Sequence, residues 1–163
     1  MPINPLLKPQ QVAHILSNCE ATVLITSTDR AKLLADVLPD CKNLQHLVHV
    51  GDELESSLFP RLTFTNWLTL QTSSGASQTR IKEMDTAAIL YTSGSTGKPE
   101  GVALSHRNLV LGAESVSQYL GTQSTDRVLA VLPLSFDYGL SQLSTAFHAG
   151  ASVVLMNYLL PQD

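Results

Sequence analysis

Apolar residues recur along this chain at helical spacing in some stretches and at strand spacing in others. A helix is indicated where they return every three or four residues, and a strand where β-branched residues run together between turn formers. In the first part of the chain these patterns predict, in order, a helix from Pro9 with Val12, Ile15 and Leu16 on one face, a strand over 21–26, a helix through Leu38 capped within 27–29 and ended by Pro39, and a strand over 44–50.

The later part of the chain carries stronger signals. Ser105 is placed as the N-cap of a helix, and Gly121 stands where a C-terminal glycine belongs. The predicted elements are strands over 87–91 and 102–104, the helix from Ser105 to Gly121, a strand over 127–132, a helix over 140–148 and a strand over 151–156. The last three form a strand–helix–strand unit, whose two strands should be parallel.

Residues 53–83 carry the weakest pattern. Thr65 is a possible cap for a short helix containing Trp67 and Leu68, and a polar stretch follows. The predicted class is α/β, with a mixed, largely parallel sheet flanked by helices. The predicted division is a helix–strand layer over 1–70, a polar linker over 71–84 and a further segment over 85–163.

Composition excludes several classes of protein. The chain has 163 residues, 44% hydrophobic and 15% charged, which suits one domain-sized core. A formal net charge of −4 provides no basic surface for nucleic acid or an anionic membrane. No stretch reaches the roughly 20 apolar residues of a membrane span, and the start of the chain lacks the regions of a signal peptide. A cytoplasmic location is expected.

The cysteines and the central histidines suggest no metal site. Cys19 and Cys41 lack C-x-x-C spacing, so neither a metal site nor a disulfide framework is indicated. His46 and His49 fall on opposite faces of the strand over 44–50, and we interpret both as surface or edge histidines without a ligand role.

Candidate chemistry concentrates between the strands over 87–91 and 102–104. Glycines there let the backbone turn its N–H groups toward an anion, while hydroxyls and a lysine add donors. The residues predicted to bind phosphate are Thr92, Ser93, Gly94, Ser95, Thr96, Gly97 and Lys98. The loop departs from the Walker pattern, since Thr92 replaces the first glycine and Pro99 follows the lysine. Pro99 favours a loop between two strands over an immediate helix.

The stretch Tyr91-Thr-Ser-Gly-Ser-Thr-Gly-Lys-Pro-Glu-Gly-Val102 closely resembles the phosphate-binding signature of the adenylate-forming superfamily. That superfamily includes acyl-CoA synthetases, the adenylation domains of peptide synthetases and luciferases, and its loop is a mobile hairpin around the β- and γ-phosphates of ATP. Glu100 stands where the family usually has lysine, so we expect Glu100 to point away from phosphate and Lys98 to replace the missing charge. Residues 117–121 and 134–139 are similar to exosortase-associated bacterial acyl-CoA ligases.

This resemblance implies an AMP-forming acyl-CoA ligase that uses ATP, Mg²⁺ and coenzyme A and activates a carboxylic acid. It also implies that Phe136, Asp137 and Tyr138, at a strand-to-helix turn, contribute to the substrate pocket. The chain resembles only a slice of the family's large N-terminal domain, without the family's catalytic lysine. We therefore expect no catalytic residue in this chain, no activity from it alone, and self-association through exposed surfaces.

Three alternatives stay open. Asp137 suits either a helix N-cap, which we favour, or a contact with the amine of an amino acid, as in peptide synthetases. His106 and Arg107 suit capping and packing first and nucleotide contact second. The chain as a whole suits a ligase, an amino-acid adenylation domain, or a non-catalytic anion-binding module.

Overall fold

The computed structural model describes residues 1–71, 79–93 and 99–156, and its chain forms two compact units. We call Pro5–Thr79 together with Ser95–Pro99 the N-terminal unit. The C-terminal unit comprises Arg80–Gly94 and Glu100–Asp163, with Met1–Asn4. Helices and parallel strand pairs occur in both units, which confirms the predicted α/β class.

The N-terminal unit is built on a parallel sheet in the order β1-β2-β3. Its elements are α1 (Pro9–Asn18), β1 (Val23–Ser27), α2 (Thr28–Leu34), a 3₁₀ turn (Leu38–Asp40), β2 (His46–Val50), a second 3₁₀ turn (Ser56–Leu58), β3 (Thr63–Asn66) and α3 (Trp67–Gln71). Val23 lies opposite His46, which in turn lies opposite Thr63.

Apolar burial stabilises this unit as the helical spacing predicts. The buried residues of α1 are Val12, Ile15 and Leu16. The Ser27 hydroxyl accepts a hydrogen bond from the Arg30 backbone N–H at 3.3 Å and so caps α2. The largest fully buried side chains of the unit are Ile15, Leu16, Leu34, Leu38, Leu47 and Cys41. Burial, as the main cause, raises the pKa of the Cys41 thiol.

Three predictions for this unit need correction. The helix expected to reach Leu38 ends at Leu34, and Pro39 lies in a separate 3₁₀ turn. Pro39 has no N–H to donate to the Ala35 carbonyl, and its ring would clash with that carbonyl in a continued α-helix. The strand β3 was not predicted, since Phe64 is the only large apolar residue in it. His49 is buried, and its Nδ1 lies 3.4 Å from the Thr28 hydroxyl.

In the C-terminal unit, α4 packs against α5. Its elements are β4 (Thr86–Ser93), β5 (Pro99–Ser105), α4 (His106–Leu120), β6 (Arg127–Ala130), α5 (Asp137–His148) and β7 (Ser152–Leu155). Arg127 of β6 lies opposite Ser152 of β7 in a parallel pair. The predicted parallel strand–helix–strand unit is therefore confirmed.

This unit also departs from its sequence pattern in places. Of the apolar run at the start of β4, only Leu90 is buried, because β4 has one strand neighbour, β5, among the described residues. Leu109, Ala113 and Leu120 recur at helical spacing in α4, which predicts that Leu120 is buried, yet Leu120 is 61% exposed and Ser117 is buried instead. The helix α5 begins at Asp137, three residues before the predicted start at Leu140. Strand β6 ends at Ala130 instead of residue 132.

Candidate functional site

The strands β4 and β5 flank the loop predicted to bind phosphate. They are hydrogen-bonded neighbours in a two-stranded sheet. A connection over residues 94–98 is too short for the crossover that parallel strands require, so the pair is an antiparallel hairpin. Thr92 is exposed near the end of β4, and Ser93 is the last residue of that strand. The remaining predicted phosphate ligands, Gly94, Ser95, Thr96, Gly97 and Lys98, lie outside the described residues.

Two further residues lie at the start of β5. Within the N-terminal unit, His14 Nε2 lies 3.2 Å from the Pro99 carbonyl oxygen. Because a carbonyl oxygen only accepts, this contact requires the proton on Nε2. Glu100 is exposed.

The start of α4 is closed to an anion. The Ser105 hydroxyl accepts a hydrogen bond from the Asn108 N–H at 3.1 Å, and the Asn108 side chain accepts one from the Ser105 N–H at 3.0 Å. The His106 N–H donates to the Asp85 carbonyl at 3.1 Å, and the Arg107 N–H donates to the Glu83 carbonyl at 2.9 Å. The predicted cap Ser105 is confirmed. The N–H groups that bind phosphate at many helix starts are already used here.

The start of α5 is arranged differently. Phe136 occupies the N-cap position and supplies no side-chain hydrogen bond, while Asp137 is the first helical residue. The favoured interpretation of Asp137 as N-cap is therefore wrong. A turn precedes the helix, in which the Phe136 N–H donates to the Pro133 carbonyl at 2.9 Å. Phe136, Asp137 and Tyr138 are all exposed.

Gly139 explains why α5 can begin so early. A Cβ at this position would lie 2.2 Å from the Pro133 carbonyl oxygen and 2.8 Å from its carbon. Only glycine allows the first turn of the helix to approach the preceding backbone so closely. This approach fixes the positions of Asp137 and Tyr138 relative to the turn.

A cavity of about 130 Å³ lies between α4 and α5, and Asp137 is part of its lining. The lining residues are Leu104, Asn108, Leu109, Gly112, Ala113, Asp137, Leu140, Ser141 and Ser144. Among the described residues, none donates a hydrogen bond to the Asp137 carboxylate. The cavity can therefore accept a small group with hydrogen-bond donors or a positive charge.

Sequence reasoning missed part of this lining. Ser141 and Ser144 follow Asp137 at helical spacing of four and seven residues, which is the signal that could have identified them once the helix start was known. Asn108, whose side chain accepts the Ser105 N–H, also lines the cavity, and it was not among the predicted site residues. On α5, the Gln142 Oε1 and Thr145 Oγ1 atoms are buried without a hydrogen-bond partner among the described residues.

The part of the chain that the structure describes contains no group of three or more His, Cys, Asp or Glu residues placed to hold a metal ion. Within the same residues, no helix has the length and apolar character needed to cross a bilayer. Both cysteines are free thiols.

A family model described as AMP-binding enzyme matches residues 1–162. The chain belongs to this AMP-binding enzyme family. A sulfoacetate–CoA ligase of Cupriavidus necator is 32% identical to it over 161 residues, covering 96% of the chain and 30% of the ligase. A linear gramicidin synthase protein of Brevibacillus parabrevis is 29% identical over 155 residues, covering 95% of the chain and 2% of that protein.

A solved structure extends the likeness to three dimensions. The anthranilate CoA ligase AuaEII, in complex with anthranoyl-AMP, matches with a TM-score of 0.73 and 29% identity, over 93% of the chain and 29% of the ligase. The chain thus spans less than a third of each of these AMP-binding enzymes. The resemblance to the adenylate-forming superfamily, and to part of its N-terminal domain, is confirmed.

Proposed function

We propose that this chain is the phosphate-binding part of an acyl-CoA ligase that activates a carboxylic acid with ATP. In the first step a carboxylate oxygen bonds to the α-phosphorus of ATP, and the bond from that phosphorus to the bridging oxygen breaks, releasing pyrophosphate. In the second step the thiol of coenzyme A loses its proton to solvent and its sulfur bonds to the acyl carbon, while the bond from that carbon to the phosphate oxygen breaks and AMP leaves.

One observation carries this proposal: the strands on either side of the phosphate signature, β4 and β5, pair with each other, while the neighbouring helix start is closed. The N–H groups of His106 and Arg107 are bonded to backbone carbonyls, so α4 cannot bind phosphate as a Walker helix does. Residues Thr92 to Lys98 are left as the anion donors. Their role is to position the triphosphate and stabilise its charge.

This chain offers residues for ATP but none that we assign to coenzyme A. ATP would be held by the hydroxyl, glycine and lysine residues from Thr92 to Lys98. Mg²⁺ would arrive on the triphosphate, since this ion keeps several waters and needs few protein ligands. It supplies charge neutralisation. We assign coenzyme A to no residue of this chain. Phe136, Asp137 and Tyr138 are proposed to contact the acid.

A second candidate is the adenylation of an amino acid for a carrier protein. The observation that favours it is the Asp137 carboxylate, which lines the cavity and receives no hydrogen bond from the described residues. An ammonium group would satisfy it. The similarity to a linear gramicidin synthase protein also supports this candidate.

ATP–pyrophosphate exchange tests these proposals on a longer protein that contains this chain. We expect exchange with one class of acid among fatty acids, aromatic acids and amino acids, and none from the isolated chain. Lys98→Ala should raise the KM for Mg·ATP about tenfold, since a charge-assisted contact to phosphate is lost. The matched control is Lys42→Ala, which removes an exposed lysine of the N-terminal unit.

The exchange results separate the candidate functions, and the substitutions test the role of Lys98. Exchange with amino acids alone would favour the peptide-synthetase function over the ligase. No exchange with any acid would instead support a non-catalytic anion-binding module. If Lys98→Ala left the use of Mg·ATP unchanged and Glu100→Ala impaired it, the hypothesis that Lys98 replaces the positive charge missing at position 100 would be wrong.

A further inference from the structure

Two side chains converge on Gly101 in the strand β5. A Cβ built at this glycine would lie 3.0 Å from Tyr91 Cζ, 3.2 Å from Tyr91 Oη and 3.1 Å from Ile89 Cγ2. Such distances are tighter than ordinary van der Waals contact, so a Cβ at this position would require Tyr91 and Ile89 to shift by a few tenths of an ångström. Gly101 does not have a positive φ, so this position needs glycine for space and not for backbone geometry.

The contact lies at the base of the predicted phosphate loop. Tyr91 precedes the end of β4 at Ser93 by two residues, and Gly101 follows the start of β5 at Pro99 by two. Ile89 and Tyr91 project from the same face of β4, because side chains alternate along a strand. Both arms of the hairpin are therefore joined by one cross-strand contact, at equal distance from the loop.

Burial indicates that this contact does more than fill a core. Tyr91 and Ile89 are only half-buried, and Gly101 is exposed. An aromatic ring across a bare glycine covers exposed backbone and fixes the pairing of two strands without needing a core around it. The same ring therefore controls the spacing of the two strand ends from which the loop leaves.

We propose that Tyr91, lying across Gly101, is a positioning residue that holds the two ends of the phosphate loop at the spacing needed to bind a polyphosphate. The proposal rests on the proposed function of that loop. Tyr91 acts through the hairpin and does not itself touch the nucleotide. The ring carbon Cζ makes the shortest contact with the Cβ position of Gly101, so the ring is the part of Tyr91 to which we assign this role.

A double-mutant cycle on the 163-residue chain tests this, with Mg·pyrophosphate as the probe and calorimetry as the measurement. We expect Tyr91→Ala and Gly101→Ala each to weaken binding about tenfold, and Tyr91→Phe to weaken it less than threefold. In the Tyr91→Ala background, Gly101→Ala should have a clearly smaller effect than in the unmodified chain, because the ring is gone and only the contact with Ile89 remains. Tyr119→Ala is the matched control, since that tyrosine is 69% exposed on α4.

Amide hydrogen exchange at Ser93 and Glu100 without ligand keeps this proposal separate from the proposed function. Faster exchange in Tyr91→Ala but not in Tyr91→Phe would support the positioning role. Failure of pyrophosphate to bind the unmodified chain would contradict the proposed function of the loop, but it would leave this exchange result, and the positioning role, standing. Additive effects of the two alanine substitutions, or unchanged exchange in Tyr91→Ala, would overturn the positioning role. Melting temperatures of all variants identify any that fail to fold, and if Tyr91→Ala is one of them, Tyr91→Leu, which removes the ring but keeps an apolar side chain, replaces it in both measurements.

Discussion

The helices α4 and α5 pack against each other in one unit, yet their first turns differ in almost every respect. At α4 a serine caps the helix and two backbone carbonyls accept the next N–H groups. At α5 a phenylalanine stands at the cap position, a carboxylate follows it, and no side chain caps the turn. The first end is built for stability alone. The second end has no side-chain cap and three exposed residues, of which Asp137 lines the cavity between α4 and α5.

The largest effect should come from the glycine that allows α5 to begin where it does. We expect Gly139→Ala to lower the free energy of unfolding by about 3 kcal/mol, because the new Cβ would overlap backbone atoms that cannot rotate away. Gly112→Ala is the matched control, since a Cβ there meets nothing within 4 Å. It should raise stability by about 0.5–1 kcal/mol through helix propensity. Urea unfolding measures both.

The comparison fails if these two alanine substitutions have similar effects. The contrast between the two helix starts would also be weaker if Gly139→Ala destabilised the chain but left the backbone NMR signals of Asp137 and Tyr138 unchanged. The glycine would then be needed for packing elsewhere, and the early start of α5 would have another cause.

Removing the cap of α4 and adding a cap to α5 should change the free energy of unfolding in opposite directions. Ser105→Ala removes the α4 cap and should cost about 1 kcal/mol of unfolding free energy. Phe136→Ser adds a cap where φ is −99° and ψ is 137°, which is the extended geometry that a capping residue needs. It should gain about 0.5 kcal/mol, since Phe136 is 58% exposed and loses little burial.

Thermal melting of these variants gives the sign directly. Ser115→Ala, an exposed serine in the middle of α4, is the control for loss of a hydroxyl without loss of a cap. A destabilised Phe136→Ser would mean that the phenylalanine packs more tightly than its exposure suggests. The start of α5 would then be closed by the aromatic ring instead of open.

The contrast between these helices also shows what the sequence could predict. Ser105 and Gly121 mark the ends of α4 by local chemistry, and the structure confirms both, with Gly121 in the left-handed region at φ 66°. The start of α5 was placed too late, because a glycine two residues into a helix normally indicates that the helix has not begun. Its contact with Pro133 depends on the path of the chain, which a single sequence does not specify.

The same reasoning applies to the burial of particular side chains. Alternation assigned His46 and His49 to opposite faces of β2, yet it could not say which face is covered. One histidine is exposed and the other is buried beside Thr28. Short β3 escaped prediction because its pairing with β2, and not its own pattern, makes it a strand.

The smallest effect concerns the charge of Asp137, the residue that follows the missing cap at α5. A carboxylate in the first turn interacts favourably with the helix dipole, so Asp137→Asn should cost about 0.5 kcal/mol at low salt. Because Asp137 is exposed, roughly 1 M salt should remove most of that loss. Glu114→Gln, an exposed change in the middle of α4, should be neutral at both salt concentrations. Melting curves at low and high salt measure all three proteins. A loss that persists at high salt would show that Asp137 has a direct partner in the folded chain, and its carboxylate would then be unavailable to a substrate amine.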